Sequence, residues 1–147
     1  MRHLIAVAAM LALPAALYAQ QQQGAPAQPA RPAKAAVPAV EALGAVRGRL
    51  LLLVESQEAH FADHASYTTS LTALHLAGQG QARSPVVINI THAAKRGWRA
   101  TAWHSAHPNK SCVIFVGKLG DFPVVATKSD GKKPAATDAG QPVCDEP

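Results

Sequence analysis

His60 and His64 stand four residues apart with Asp63 between them, in a stretch whose apolar residues recur at helical spacing. Four residues make just over one helical turn, so both imidazoles fall on one face and could hold a metal ion. The glutamate that zinc hydrolases place between such histidines is not at the needed position, and any solvated helix face can show the same spacing. The pair is a weak metal candidate, and no cofactor is expected. His92, His104 and His107 fall in connections or at strand ends beside basic residues and read as solvated. A second set is cationic. Lys95, Arg96, Arg99 and Lys110 flank a segment that carries Trp103, and cations beside an exposed aromatic suit phosphate contact with base stacking, or an acidic polymer. Lys128, Lys132 and Lys133 form a further cluster near the end of the chain. There is no nucleophile elbow, no glycine-rich phosphate loop and no spaced carboxylate pair. No catalytic residue is assigned, and enzyme activity is not expected.

These side chains must be positioned by a small fold. The 147 residues are 48% apolar but only 5% aromatic, with a formal charge of +5. That length allows one domain and excludes a two-domain nucleotide-dependent enzyme, a polytopic membrane protein and a coiled coil. Over residues 39–64, Leu43, Val46, Leu50, Leu53, Val54 and Phe61 follow the helical period, with Gln57 interrupting the row. Gly44 and Gly48 each cost about 1 kcal/mol inside a helix, which predicts fraying of the first turns. The run 50–54 is apolar almost all round and predicts burial on more than one side. Residues 66–71 turn the chain through a short helix or loop towards Leu76, and Gly78 and Gly80 break the structure.

Beyond that point the period changes to two. Residues 86–90 are β-branched, 97–104 alternate, and 112–116 form a third strand stopped by Gly117. The alternation puts Trp98, Ala100 and Ala102 on one face and Arg99, Thr101 and Trp103 on the other. Short polar connections at 92–96 and 105–110 favour an antiparallel meander. The expected architecture is α+β, a long N-terminal helix packed on a three- to four-stranded antiparallel sheet. Residues 118–147 read as irregular.

The amino end carries a cationic start, an apolar run over 4–13 and Leu17, Tyr18 and Ala19 before Gln20, the pattern of an export signal over 1–19, with Leu17 larger than the usual residue three before the cut. Residues 4–19, interrupted by Pro14, are fewer than the roughly 20 a membrane span requires. Residues 20–38 are rich in Gln, Pro and Ala and read as a flexible linker, leaving 39–147 as the domain. In an oxidising compartment Cys112 and Cys144 are expected to form a disulfide that pins the tail to the third strand.

The stretch LVESQEAHFADHASYTTSL at 53–71 resembles the end of the long helix in type IV pilins and pseudopilins. Later blocks follow in family order: a strand like 86–91, then Gly97, Trp98, Ala100, Thr101 and Ala102, then Cys112, Ile114, Phe115, Val116 and Gly117. Residues 140–145 (GQPVCD) complete the likeness, which spans about 46–145. It implies a helix against an antiparallel sheet with a disulfide-closed C-terminal region. The processed glycine and the apolar, Glu-containing assembly helix of pilins are not seen here. A signal and a tether stand in their place.

The expectation is therefore an exported, periplasmic or extracellular, non-enzymatic pilin-like module, accessory to a type IV pilus or type II secretion apparatus and partnered by its proteins. The alternative is an extracellular binder of DNA or acidic polysaccharide through Lys95, Arg96, Arg99, Trp103 and Lys110. Phe61, Tyr67, Trp98 and Phe115 are assigned to packing.

Overall fold

Pro38 sets where the helix begins. In the computed structural model it is extended (φ −60°, ψ 146°), and its carbonyl accepts from the Ala42 N–H at 3.0 Å. Helix α1 then runs Ala39–His64, with Glu41 in its first turn, where the helix dipole favours a negative charge. The helix is continuous from Ala39, so the fraying expected from Gly44 and Gly48 is not seen; packing of Ala42, Leu43 and Val46 outweighs the glycine cost. Ala65 closes it in the left-handed region (φ 53°), donating to the Phe61 carbonyl at 2.8 Å. The structure describes residues 36–76, 84–118, 120–121, 123, 125–129 and 131–147. The expected export signal, most of the expected linker and the expected break at Gly78 and Gly80 lie outside them. Residues 35–147 form one compact unit.

Four strands follow: β1 (Val86–Ala94), β2 (Gly97–His104), β3 (Ser111–Gly117) and β4 (Val143–Cys144). They form one antiparallel sheet in sequence order. Strand β1 runs four residues past the expected end. A register shift between Ile90 and His92 absorbs Thr91, and pairing continues to Ala94 opposite Gly97. The connection at 92–96 is thus mostly strand, and only Lys95 and Arg96 form the hairpin turn. The tail is less irregular than expected as well. It supplies β4, and Ala126 bridges Ala135.

One helix is packed on the sheet, and the alternation of β2 decides what lies between them. Trp98, Ala100 and Ala102 point at the helix and are fully buried with Leu43, Val46, Leu50, Leu53, Ile88 and Ile114. Alanines opposite the helix allow it to lie close, while Trp98 fills the volume at one end. The opposite face of the sheet has its own small core, where Val113 and Phe115 pack with Val125, Ala136 and Val143 of the tail. The disulfide between Cys112 and Cys144, 32 residues apart, holds the tail against β3.

Burial of the helix corrects one expectation. Leu50 and Leu53 are sealed, but Leu51 and Leu52 remain 44% and 46% exposed. The run 50–54 is therefore buried on one side. The single sheet covers only the arc of the helix that faces it, and nothing among the described residues covers the rest.

Candidate functional site

The five residues of the expected polyanion surface divide between two ends of β2. Lys95 and Arg96 form the β1–β2 turn, and Lys110 enters β3 beside the far end of β2. Seven residue steps along a strand separate these ends by roughly 23 Å. Arg99, Thr101 and Trp103 do share the face turned away from the helix. The tail lies over that face, however, and engages it.

Among the described residues each of these cations but Lys95 has a partner within the chain. Arg96 Nε is 3.7 Å from the Asp121 carboxylate. Arg99 is half-buried and donates from Nη1 to the Pro123 carbonyl at 2.6 Å. Lys110 Nζ donates to the Glu146 carbonyl at 2.5 Å. Lys128 sits 3.2 Å above the centre of the Trp103 ring, so the tail cluster supplies the cation that stacks on this aromatic. At the hairpin end, His92, Ala94, Lys95, Arg96 and Asp121 line an open hollow of about 400 Å³. The hollow mixes three basic side chains with one carboxylate, and Lys95 is exposed beside it.

The histidine pair lies on one helix face as its spacing requires. The His60 and His64 rings stack at 4.1 Å, and His64 Nδ1 donates to the His60 carbonyl at 3.0 Å. That bond fixes the proton on Nδ1 and leaves Nε2 as the ligating atom. Among the described residues, no three His, Cys, Asp or Glu side chains gather as a metal site would need. His104 and His107 have structural duties. His104 is buried and accepts the Ala106 N–H on Nδ1 at 3.1 Å. His107 Nε2 donates to the Val37 carbonyl at 2.8 Å, which ties the entry of the helix to the β2–β3 connection.

Two polar centres were not apparent in the sequence. Gln57 is fully buried, donating to the Thr68 carbonyl at 2.6 Å and accepting the Thr68 N–H at 3.1 Å. One side chain thereby replaces both partners a strand would give Thr68, and it fixes the chain after the helix. Asp145 is buried at the end of the disulfide-held segment. Its carboxylate accepts from the Ser111 N–H at 2.8 Å, the Ser129 N–H at 3.2 Å and the Thr127 hydroxyl. The Ser111 hydroxyl in turn accepts the Lys128 N–H at 2.7 Å, which holds Lys128 beside Trp103. The only hint of these roles is placement: an amide at a core position of the helical row, and a carboxylate next to a cysteine.

Near the helix end, Phe61 and Tyr67 stack at 4.7 Å, and the Tyr67 hydroxyl donates to Glu58 at 3.0 Å. Burial of the phenol raises its pKa above 10.0, and the hydrogen bond and negative charge of Glu58 raise it further. Among the described residues no helix is long and apolar enough to cross a membrane. No family model matches the chain, and no curated protein matches it.

Proposed function

We propose that the protein is an exported, non-enzymatic, pilin-like module that acts through protein contacts, accessory to a pilus or secretion apparatus, with α1 as the N-terminal element of the processed domain. The observation that carries this reading is the architecture. A 26-residue helix lies on an antiparallel meander, and the tail is held to β3 by the Cys112–Cys144 disulfide. That is the arrangement the resemblance over 46–145 implies. The disulfide further supports export, because such bonds persist in oxidising compartments. A small domain that relies on one is suited to the periplasm or the cell surface.

The polyanion reading has less support. Its cations lie at two ends of β2, and Arg96, Arg99 and Lys110 are engaged within the chain. Fractionation of cells making the native chain tests the choice. The pilin-like reading expects the protein in periplasmic, medium or sheared-fibre fractions, with release from heparin by moderate salt. Cytoplasmic retention would overturn export. Steeply salt-dependent, tight heparin or DNA binding that falls on replacing Lys95 and Arg96 would favour the polyanion reading.

A further inference from the structure

The side of α1 turned away from the sheet carries apolar surface that the fold does not use. Leu51 and Leu52 are close to half exposed, and Val40 is 65% exposed. Between Val40 and the leucines, Gly44 and Gly48 leave the backbone bare, and a Cβ at either would meet nothing within 4 Å. Glu41 is exposed in the first turn, and along the flank of Leu51 the remaining charges are divided. Arg47 lies in the first half of the helix, Glu55 and Glu58 in its second, and all three are exposed. Among the described residues neither Arg47 nor Glu55 has an ion pair within the chain.

We propose that this face docks a second copy of the chain, with the two α1 helices antiparallel about a two-fold axis beside Leu52. Arg47, Leu51 and Glu58 recur close to whole helical turns and so share one flank. Reversal about the axis brings Arg47 of one copy to Glu58 and Glu55 of the other, and symmetry repeats the contact. Leu51 and Leu52 then meet their own counterparts at the centre. A parallel pair would instead set Arg47 against Arg47 and Glu58 against Glu58, which like charges disfavour. The bare backbone at Gly44 and Gly48 lets the partner helix approach closely. A 26-residue helix is about 39 Å long, so one helix pair buries less than the ~800 Å² per partner of a standard interface. The dimer is consequently reversible on dilution. This inference rests on the helix surface alone and does not depend on the pilin-like reading.

Sedimentation of the processed chain, as recovered from cells, over a range of concentrations tests it. A monomer–dimer equilibrium is expected. Arg47→Glu should weaken it by about tenfold or more at low salt, and Arg47→Glu with Glu55→Arg should restore most of the loss. Leu51→Glu with Leu52→Glu should abolish it while the circular dichroism and the disulfide stay unchanged. If that variant fails to fold, the exposed Arg47 and Glu55 substitutions decide alone. A natively folded monomer at every concentration would overturn the proposal. So would a dimer that Arg47→Glu leaves unchanged or strengthens. Dimerisation only after removal of residues 20–35 would also overturn it, and would assign the face to the chain's own amino-terminal segment.

Discussion

Gln57 occupies a core position of the helix yet is the one polar side chain there. Its two bonds to Thr68 show why an apolar residue of the same size would not serve. Gln57→Leu keeps the volume but strands the N–H and carbonyl of Thr68 in a buried setting. A loss of about 2 kcal/mol in urea unfolding is expected, since each unsatisfied group costs about 1–3 kcal/mol. A neutral result would mean that the loop after α1 is held by Phe61 and Tyr67 instead. Tyr67 makes a separate prediction in pH. Its folded pKa is raised, so the unfolded chain gives up the phenolic proton more readily. The stability it contributes is fully present below about pH 10 and is lost as pH rises through the raised value. Tyr67→Phe should therefore flatten the alkaline fall in stability, read as the difference between the two proteins' unfolding midpoints from neutral to alkaline pH. An identical alkaline fall in both proteins would remove Tyr67 from the account.

The elements differ in how far the sequence discloses them. The bounds of helix α1 were readable from its 3.6-residue period, although the firmness of its first turns and the exposure of Leu51 and Leu52 were not. The division of β2 into two faces was readable too, since Trp98, Ala100 and Ala102 alternate strictly with Arg99, Thr101 and Trp103. The extension of β1 to Ala94 was hidden because the shift at Thr91 breaks the period of two at that point. The tail was hidden for a different reason. The disulfide was expected from its two cysteines, but the rest of the tail's order comes from the carboxylate of Asp145 and from contacts with the far face of the sheet, neither of which has a local period. The candidate site suffered most. Alternation correctly put Arg99 and Trp103 on one face, but it could not reveal that Pro123 and Lys128 would come to lie against them.

The disulfide belongs to this scale. Closing a 32-residue separation contributes about 3.5–4 kcal/mol in the chain-entropy model. Cys112→Ser with Cys144→Ser should lose stability of that order in chemical denaturation, and limited proteolysis should cut first in the residues beyond β3. Cleavage that begins in α1 instead would mean that the tail is held by its polar contacts and not by the bond.

At the scale of the whole molecule, the domain has two covered sheet faces and one uncovered helix face. The helix covers one side of the sheet, the tail covers the other, and the outer side of α1 is left with Leu51 and Leu52. That uncovered surface is where the proposed dimer would form. The central claim is that such a module is exported, trimmed and closed by its disulfide. The most direct measurement is the intact mass of the native protein, with and without reductant, from soluble periplasmic, medium and sheared-fibre fractions. The account predicts a chain beginning at or near Gln20 that gains the mass of two hydrogens on reduction. An untrimmed chain with both thiols already free would contradict it.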